Sequence, residues 1–243
     1  MMVGAGIDGC RAGWLVIHGT KAKPQALVCS TFEAVLKAVP NGNLIVDMPI
    51  GLTEADERRV EKVARQWLPG RTGSVFSVPA RSAVYAEDYL AACSANEISQ
   101  GKKISKQAWF LCPKIREIDG YLREAPVLRG RLFEGHPELA FALLAGAPMV
   151  ASKKSALGQA ARRQLLESRG LAVSRLETEV FQRYRKSAVA VDDVLDAAVL
   201  FSLVIEGSEP FLTKPIVDDE GLEVNYRVPQ RQNWQVSPKT ETL

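Results

Sequence analysis

Apolar residues fall into short runs over the first half of the chain. The runs at 3–7, 14–17 and 26–29 are separated by turn residues, which predicts three short strands in an antiparallel meander. The run at 44–50 is apolar on both faces, as expected for an interior and parallel strand. A further short strand is predicted at 131–134.

The longest apolar segment, at 191–205, predicts a buried helix with three acidic residues near its start. Helical patterns between about 84 and 125 fall between two predicted strands and indicate a helical insertion. The sequence therefore predicts one α/β domain over 1–210, with a mixed sheet flanked by helices. Residues 211–243 are more polar, which predicts a C-terminal extension with a small hairpin and a flexible tail.

Composition narrows the class of protein. The chain has 243 residues, of which 47% are hydrophobic, enough for one sizeable core. A net charge of +3 does not by itself indicate a polyanion partner. Four widely spaced cysteines and two histidines form no zinc pattern. The first residues lack the features of a secretory signal, and no apolar run reaches the roughly 18 residues of a membrane span, so we expect a cytoplasmic protein. The oligomeric state stays open, a homodimer included.

Three predicted strands end in an acidic residue. Asp8 and Asp47 each follow an apolar run, and Glu134 repeats the pattern on a third strand. If these strands are parallel neighbours, the three acids emerge at the same edge of the sheet, where α/β folds place their sites. A buried carboxylate needs a cation or a proton, because burying it alone is costly.

Three more acids lie at the start of the last predicted helix. Asp192 and Asp193 have an ordinary explanation as capping residues that suit the helix dipole. Asp196 lies a turn further in, too deep for capping, and shares its face with apolar residues. Residues three or four apart on a helix are neighbours, so two of these carboxylates can share a divalent cation.

Together, the six acids predict a site for two Mg²⁺ or Mn²⁺ ions that hydrolyses phosphodiester bonds. The competing interpretation is that all of them are caps and salt bridges. His136, two residues after Glu134, is a candidate for proton transfer, although a lone histidine before a proline is more often a structural hydrogen-bonding group.

Basic residues supply candidate contacts to a nucleic-acid phosphate. Arg71 and Arg81 share a glycine- and proline-rich loop, Lys153 and Lys154 precede a predicted helix, and Arg11 lies in the turn after the first strand. Single basic residues are usually solvated surface, so the loop setting favours the two arginines.

Five motifs, in this order, resemble those of the DUF429 family of uncharacterised prokaryotic proteins: GIDGCRAGW at 6–14, DMPIGL at 47–52, SVF at 74–76, EGHPE at 134–138 and DDVLDA at 192–197. The end of the last motif is also similar to that of Holliday-junction resolvases. The resemblance implies a ribonuclease H-like fold, with acids from the first strand, the fourth strand and the last helix. It also implies a nuclease, an activity that is itself a prediction for the family. Glu61 stands where the family has an aspartate, which indicates a peripheral residue.

Two other function classes compete with a nuclease. One is a non-catalytic scaffold that keeps the acids for stability or for binding a partner. The other is an ATPase or phosphotransferase of the actin and sugar-kinase type, because Asp8 and Gly9 before a turn resemble a phosphate-binding hairpin. That superfamily needs two such domains, and the chain is too short for them.

Overall fold

The computed structural model describes residues 4–55 and 58–234, and its main sheet has five strands in the order β3-β2-β1-β4-β5. β2 pairs antiparallel with β1 and with β3, whereas β4 lies parallel to β1 and to β5. The strand bounds are β1 Gly4–Cys10, β2 Gly13–Thr20, β3 Lys23–Cys29, β4 Asn43–Val46 and β5 Leu132–Glu134.

Helices cover both faces of this sheet. α9 crosses the centre of one face, against β1, β2 and β4, with α6, α7 and α8 packed around it. α1 and α5 cover the other face. The helix bounds are α1 Phe32–Ala38, α2 Arg59–Trp67, α3 Arg81–Val84, α4 Tyr89–Gln100, α5 Lys106–Glu124, α6 Pro137–Ala145, α7 Ala156–Ser168, α8 Val173–Arg183 and α9 Val191–Glu206.

A strand's alternation sends neighbouring side chains to opposite faces. In β1, Ile7 joins the cluster under α1 and α5, while Gly6 faces α9. A Cβ atom at Gly6 would lie 2.1 Å from the backbone nitrogen of Phe201 and 2.2 Å from the carbonyl oxygen of Ala197. Helix and strand backbones therefore touch directly at this point, which only glycine allows.

The predicted fold class is confirmed. The sheet is mixed, with an antiparallel meander of three strands followed by two parallel strands, and this topology is consistent with a ribonuclease H-like fold. Two helices, α4 and α5, lie in the chain between β4 and β5, where the sequence predicts a helical insertion. None of the helices in the described ranges is long and apolar enough to cross a bilayer.

Residues after α9 pack against the rest of the molecule. They form two small antiparallel pairs, β6 Ser208–Pro210 with β9 Arg227–Pro229, and β7 Ile216–Val217 with β8 Glu223–Val224. Phe211 and Tyr226 are buried in one cluster with Val60 and Leu139. The predicted tail beyond residue 234 lies outside the described residues.

Candidate active site

Two aspartates meet where β1 and β4 end. Ile7 and Val46 are partners in the parallel register, and the backbone nitrogen of Asp47 donates to the carbonyl oxygen of Ile7 at 2.9 Å. Asp8 and Asp47 are therefore side by side, one residue further along each strand. Asp8 is two residues after Gly6, and Asp47 is two residues after Ile45, the partner of Gly6 in the register. Because side chains alternate between faces along a strand, both aspartates lie on the same sheet face as Gly6, the face that α9 covers.

The start of α9 adds acids to this pair. Burial is the main reason why the pKa of Asp8 lies well above its ordinary value, and the charges of Asp47, Asp196 and Asp193 raise it further. Burial and Asp196 raise the pKa of Asp47 to about 7. Three separate elements thus bring carboxylates close enough to repel one another, as the sequence predicts.

One ammonium group is bound into this acidic cluster. Lys153 Nζ lies 2.5 Å from Asp196 Oδ2, and its charge lowers the pKa of Asp8 and of Asp47 against the effect of burial. Lys153 lies in the loop between α6 and α7. Arg71 fixes this loop, because its Nε donates to the carbonyl oxygen of Met149 at 2.7 Å. The structure thus places Lys153 at the acids.

A second lysine, Lys114 on α5, approaches the acids from the sheet face opposite α9. Its side chain passes over Gly9, so closely that a Cβ atom added to Gly9 would lie 3.1 Å from the Cδ atom of Lys114. Its ammonium group donates a hydrogen bond to the carbonyl oxygen of Gly13 at 2.5 Å. Its ammonium lies 4.2 Å from the centroid of the Trp14 ring. Burial lowers the pKa of Lys114, and the nearby charges of Asp8 and other groups oppose that shift.

The two outer acids of α9 have different environments. Asp193 Oδ2 accepts a hydrogen bond from the backbone nitrogen of Ala190 at 2.8 Å, so this residue caps the helix as well as facing the cluster. Burial raises the pKa of Asp193 to about 6. Asp192 is half-buried, and its charge raises the pKa of both Asp193 and Asp196.

Glu134 does not join this cluster, so its prediction as a ligand beside Asp8 is wrong. It is paired in register with Val46, one residue before Asp47, and alternation sends its side chain to the opposite face of the sheet. There Glu134 Oε2 lies 2.5 Å from Arg58 Nη2 and accepts from the backbone nitrogen of Ile50 at 2.8 Å.

Around Glu134, the structure shows a buried charge network that the sequence did not predict. Arg58 Nε lies 3.3 Å from Glu61 Oε1, and the Tyr226 hydroxyl donates to the same oxygen at 3.2 Å. Glu61 is only 1% exposed, and its partners are Arg58 and Tyr226 rather than the aspartates of the candidate active site. No local pattern marks the whole network, because its members come from three separate segments of the chain.

His136 serves as the N-cap of α6. Its Nδ1 accepts from the backbone nitrogen of Leu139 at 3.1 Å, and Nε2 lies 3.4 Å from the carbonyl oxygen of Ser74. Burial lowers its pKa to about 4, and the charge of Lys153 contributes. Both ring nitrogens have backbone partners, which favours the structural interpretation of this residue over proton transfer.

The other predicted phosphate contacts have different placements. Arg81 is committed to two ion pairs, with Asp119 and Asp218, each at 2.7 Å, and this corrects its assignment to the substrate. Arg71 uses its guanidinium on the loop that carries Lys153. Arg11 and Lys154 are exposed, Arg11 in the turn between β1 and β2.

A buried ion pair near Asp196 is a further feature that the sequence does not predict. Arg162, which is 0% exposed, donates to Glu138 Oε2 at 2.7 Å, and the charge of Glu138 raises the pKa of Asp196. Arg162 lies on α7 and Glu138 on α6. Their contact depends on helix packing, which sequence spacing does not reveal.

The donor set can be compared with the needs of a divalent cation. Carboxylate oxygens are the ligands that Mg²⁺ and Mn²⁺ prefer, and no described residue donates a hydrogen bond to Asp8 or Asp47. As arranged, however, no group of three or more His, Cys, Asp or Glu residues among those described is spaced to hold a metal ion. The Asp196 Oδ2 atom is bonded to the ammonium group of Lys153 rather than left open for a cation. The set fits a metal in chemistry and charge, and metal binding stays a prediction.

Fold and site together define an α/β protein with a mixed five-stranded sheet, consistent with a ribonuclease H-like fold, and a cluster of aspartates where the parallel pairing of β1 and β4 ends. The family model described as "Protein of unknown function (DUF429)" matches residues 6–207, and the chain belongs to this family. No curated protein and no solved structure matches the chain. Family membership therefore assigns no activity.

We expect an Asp47→Asn variant to have a flatter dependence of stability on pH. The folded state raises the pKa of Asp47 from 3.8 to about 7, so it binds this proton more tightly than the unfolded chain does. The resulting stabilisation is complete below about pH 4 and is lost as the pH rises through 7. Urea unfolding at pH 5 and pH 8 in EDTA measures the slope. Exposed Asp219→Asn is the control, and an unchanged slope in Asp47→Asn would contradict the assignment.

Proposed function

We propose that the protein is a metal-dependent nuclease that hydrolyses phosphodiester bonds of DNA or RNA. The observation that carries the proposal is the convergence of Asp8, Asp47 and Asp196 from three elements, with the ammonium group of Lys153 bonded to Asp196. The cluster has more carboxyl groups than the one charge of Lys153 can balance, and burial together with their mutual repulsion raises the pKa of Asp8 and Asp47. An excess of oxygen ligands and negative charge is what a divalent cation requires.

Each part of the site has a role in this proposal. Asp8, Asp47 and Asp196 would hold Mg²⁺ or Mn²⁺, with Asp193 and Asp192 adding negative charge. The metal would supply an activated water and stabilise charge on the phosphate. Lys153 and Lys114, on either side of the acids, would bind the substrate's phosphates, with exposed Arg11 and Lys154 as outer contacts.

The direct test is cleavage of end-labelled nucleic acids. Single-stranded, duplex and four-way-junction DNA, and the matching RNAs, are incubated with the protein and Mg²⁺ or Mn²⁺. We expect cleavage of at least one substrate, which EDTA abolishes. An Asp196→Asn protein purified in the same way is the control. Equal cleavage by this variant would identify a contaminant and overturn the proposal.

A non-catalytic binding protein is the second candidate, and the Lys153–Asp196 ion pair favours it. An ammonium group that already neutralises Asp196 can serve a protein that never binds metal. The two candidates differ in what happens when this group is removed, since a metal-binding site would then be easier for a cation to enter.

We expect a Lys153→Met variant to be less stable than wild type in EDTA and to gain more than wild type from Mn²⁺. Its acids would lack their neutralising cation, and a metal present at 100 times its Kd stabilises by about 2.7 kcal/mol, roughly 5 °C or more in Tm for a chain of this size. Thermal unfolding with and without Mn²⁺ measures this. Exposed Lys154→Met is the matched control. A destabilised variant that Mn²⁺ does not rescue would favour the non-catalytic protein.

A further inference from the structure

A cavity of about 280 Å³ lies between β5 and the segment that follows α9. Its volume is close to the lower end of small-molecule sites. The residues that give it chemical character are Leu122, Leu222, Phe133, Glu134, Arg129 and Arg227. The residues that line it include none of the clustered aspartates and not Lys153, so among the described residues this cavity is separate from the candidate active site.

One wall of the cavity is the open edge of the sheet. β5 is an edge strand, and it bonds to β4 through the carbonyl oxygen of Arg131 and the backbone nitrogen of Gly135. Peptide groups alternate in direction along a parallel strand, so those of Leu132 and Glu134 point away from β4. The neighbouring segment meets β5 at a bridge between Gly135 and Arg227. The cavity lies where the two diverge.

A buried carboxylate presents a fixed acceptor at this wall. Glu134 is 5% exposed, and its Oε2 takes both the Arg58 and the Ile50 hydrogen bonds. Within the described residues, Oε1 accepts none. Of the two outward peptide groups, the bridge to Arg227 engages the carbonyl of Glu134, and an anchored carboxylate oxygen beside the peptide group of Leu132 is suited to a ligand with several N–H donors.

Two guanidinium groups complete the lining. Arg227 lies over the Phe133 ring, with 4.0 Å between its Cζ and the ring centroid, which makes a flat platform. Arg129 is fixed by a hydrogen bond from its Nε to the carbonyl oxygen of Leu122 at 2.9 Å. Arginine planes stack on nucleobases, and guanidinium groups bind phosphates. Apolar Leu122 and Leu222 suit the face of a ring.

We propose that this cavity binds a guanine nucleotide. Glu134 Oε1 and the peptide group of Leu132 accept the N–H groups of the base, the Arg227–Phe133 platform stacks on its ring, and Arg129 binds its phosphate. Adenine lacks the adjacent ring and exocyclic N–H pair on one edge, so the site discriminates against it. The nucleotide is either a free mononucleotide or a guanosine within a nucleic-acid strand.

Titration calorimetry with GMP, AMP and a guanine-containing dinucleotide tests the proposal. We expect GMP to bind at least about 10-fold more tightly than AMP. Asp8→Asn protein should bind GMP equally well, so failure of the nuclease proposal would leave this result unaffected. Tighter binding of the dinucleotide than of GMP would identify a nucleic-acid strand as the source, and the reverse order a free nucleotide.

Two variants locate the binding. Arg129→Ala should weaken GMP binding about 10-fold. Val217→Trp, at the 61% exposed rim, should block it, whereas Ile98→Trp on α4, which is 87% exposed, should not. Thermal unfolding first establishes that each variant is folded. Equal affinity for GMP and AMP, no binding of either, or GMP binding that survives both Arg129→Ala and Val217→Trp would overturn the proposal.

Discussion

An Asp8→Asn variant is expected to lose metal-dependent hydrolysis about 1000-fold and, at the same time, to become more stable. The loss follows from the proposed function, because a metal supplies several kcal/mol of charge stabilisation. The gain follows from the structure, since burial and three neighbouring carboxylates disfavour the charge of Asp8. A folded-state pKa raised above the unfolded value means that the charged form of Asp8 destabilises the fold at high pH, so we expect the free energy of unfolding at pH 8 in EDTA to rise.

Urea unfolding and a cleavage assay on the same preparations measure the two effects. Asp219→Asn is the matched control, because this exposed carboxylate lies outside the cluster, and it should change neither quantity. A destabilised Asp8→Asn protein would mean that the carboxylate is held by favourable contacts, which would contradict the electrostatic picture. If Asp8→Asn is more stable than wild type but wild type cleaves no substrate, the electrostatic explanation would hold and the nuclease proposal would be rejected.

A Glu134→Gln variant is expected to lose about 3 kcal/mol of unfolding free energy, for the opposite reason. Glu134 is the partner of Arg58, whose guanidinium is 1% exposed and would be left with Glu61 alone. Removing one partner of a buried ion pair typically costs 3–5 kcal/mol. If Glu134 were instead a repelled metal ligand, the same substitution would stabilise the protein.

A double variant sharpens this test. Glu134→Gln combined with Arg58→Met should be less destabilised than the sum of the two single variants, because each single variant already loses the Arg58–Glu134 pair and the double variant loses it only once. Exposed Glu124→Gln serves as the control for losing a negative charge. Additive effects of the two substitutions would show that the pair at 2.5 Å does not couple the two residues in solution.

Much of this architecture is predictable from the sequence. Alternation and turn residues give the meander, and an apolar run with both faces buried gives the parallel strand β4. Asp196 is predicted to face protein because its position on the helix is too deep for capping. The structure places Asp196 close to Asp8 and Asp47. Strand ends and helix faces can be predicted in this way because they are local properties that a pattern of apolar residues specifies.

Register and loop geometry are less visible in a sequence. Glu134 ends an apolar run as Asp8 and Asp47 do, yet it pairs with Val46 rather than Asp47, and this difference of one residue sends its side chain to the other face of the sheet. The sequence predicts that Lys153 binds substrate, whereas its ion pair with Asp196 depends on a loop that Arg71 fixes from a distant segment. Such contacts arise from tertiary packing and leave no local signature.

The segment after α9 shows the same limit. Its polar composition predicts an extension, but Asp218 is buried and accepts from the backbone nitrogen of Leu52 at 2.8 Å, in the loop after β4. The family match ends at residue 207, before this segment begins. A polar residue with a specific buried partner cannot be told from a solvated one by composition alone.

Because β1 and α9 are in direct backbone contact at Gly6, the distance between the strand and the helix that carry the acidic cluster is set there by main-chain atoms. At this point no side chain lies between the strand that carries Asp8 and the helix that carries Asp196. Substitutions elsewhere in the core can therefore accumulate over evolution while the distance between the two carboxylates is kept. Any side chain at position 6 would move them apart together with the elements that carry them.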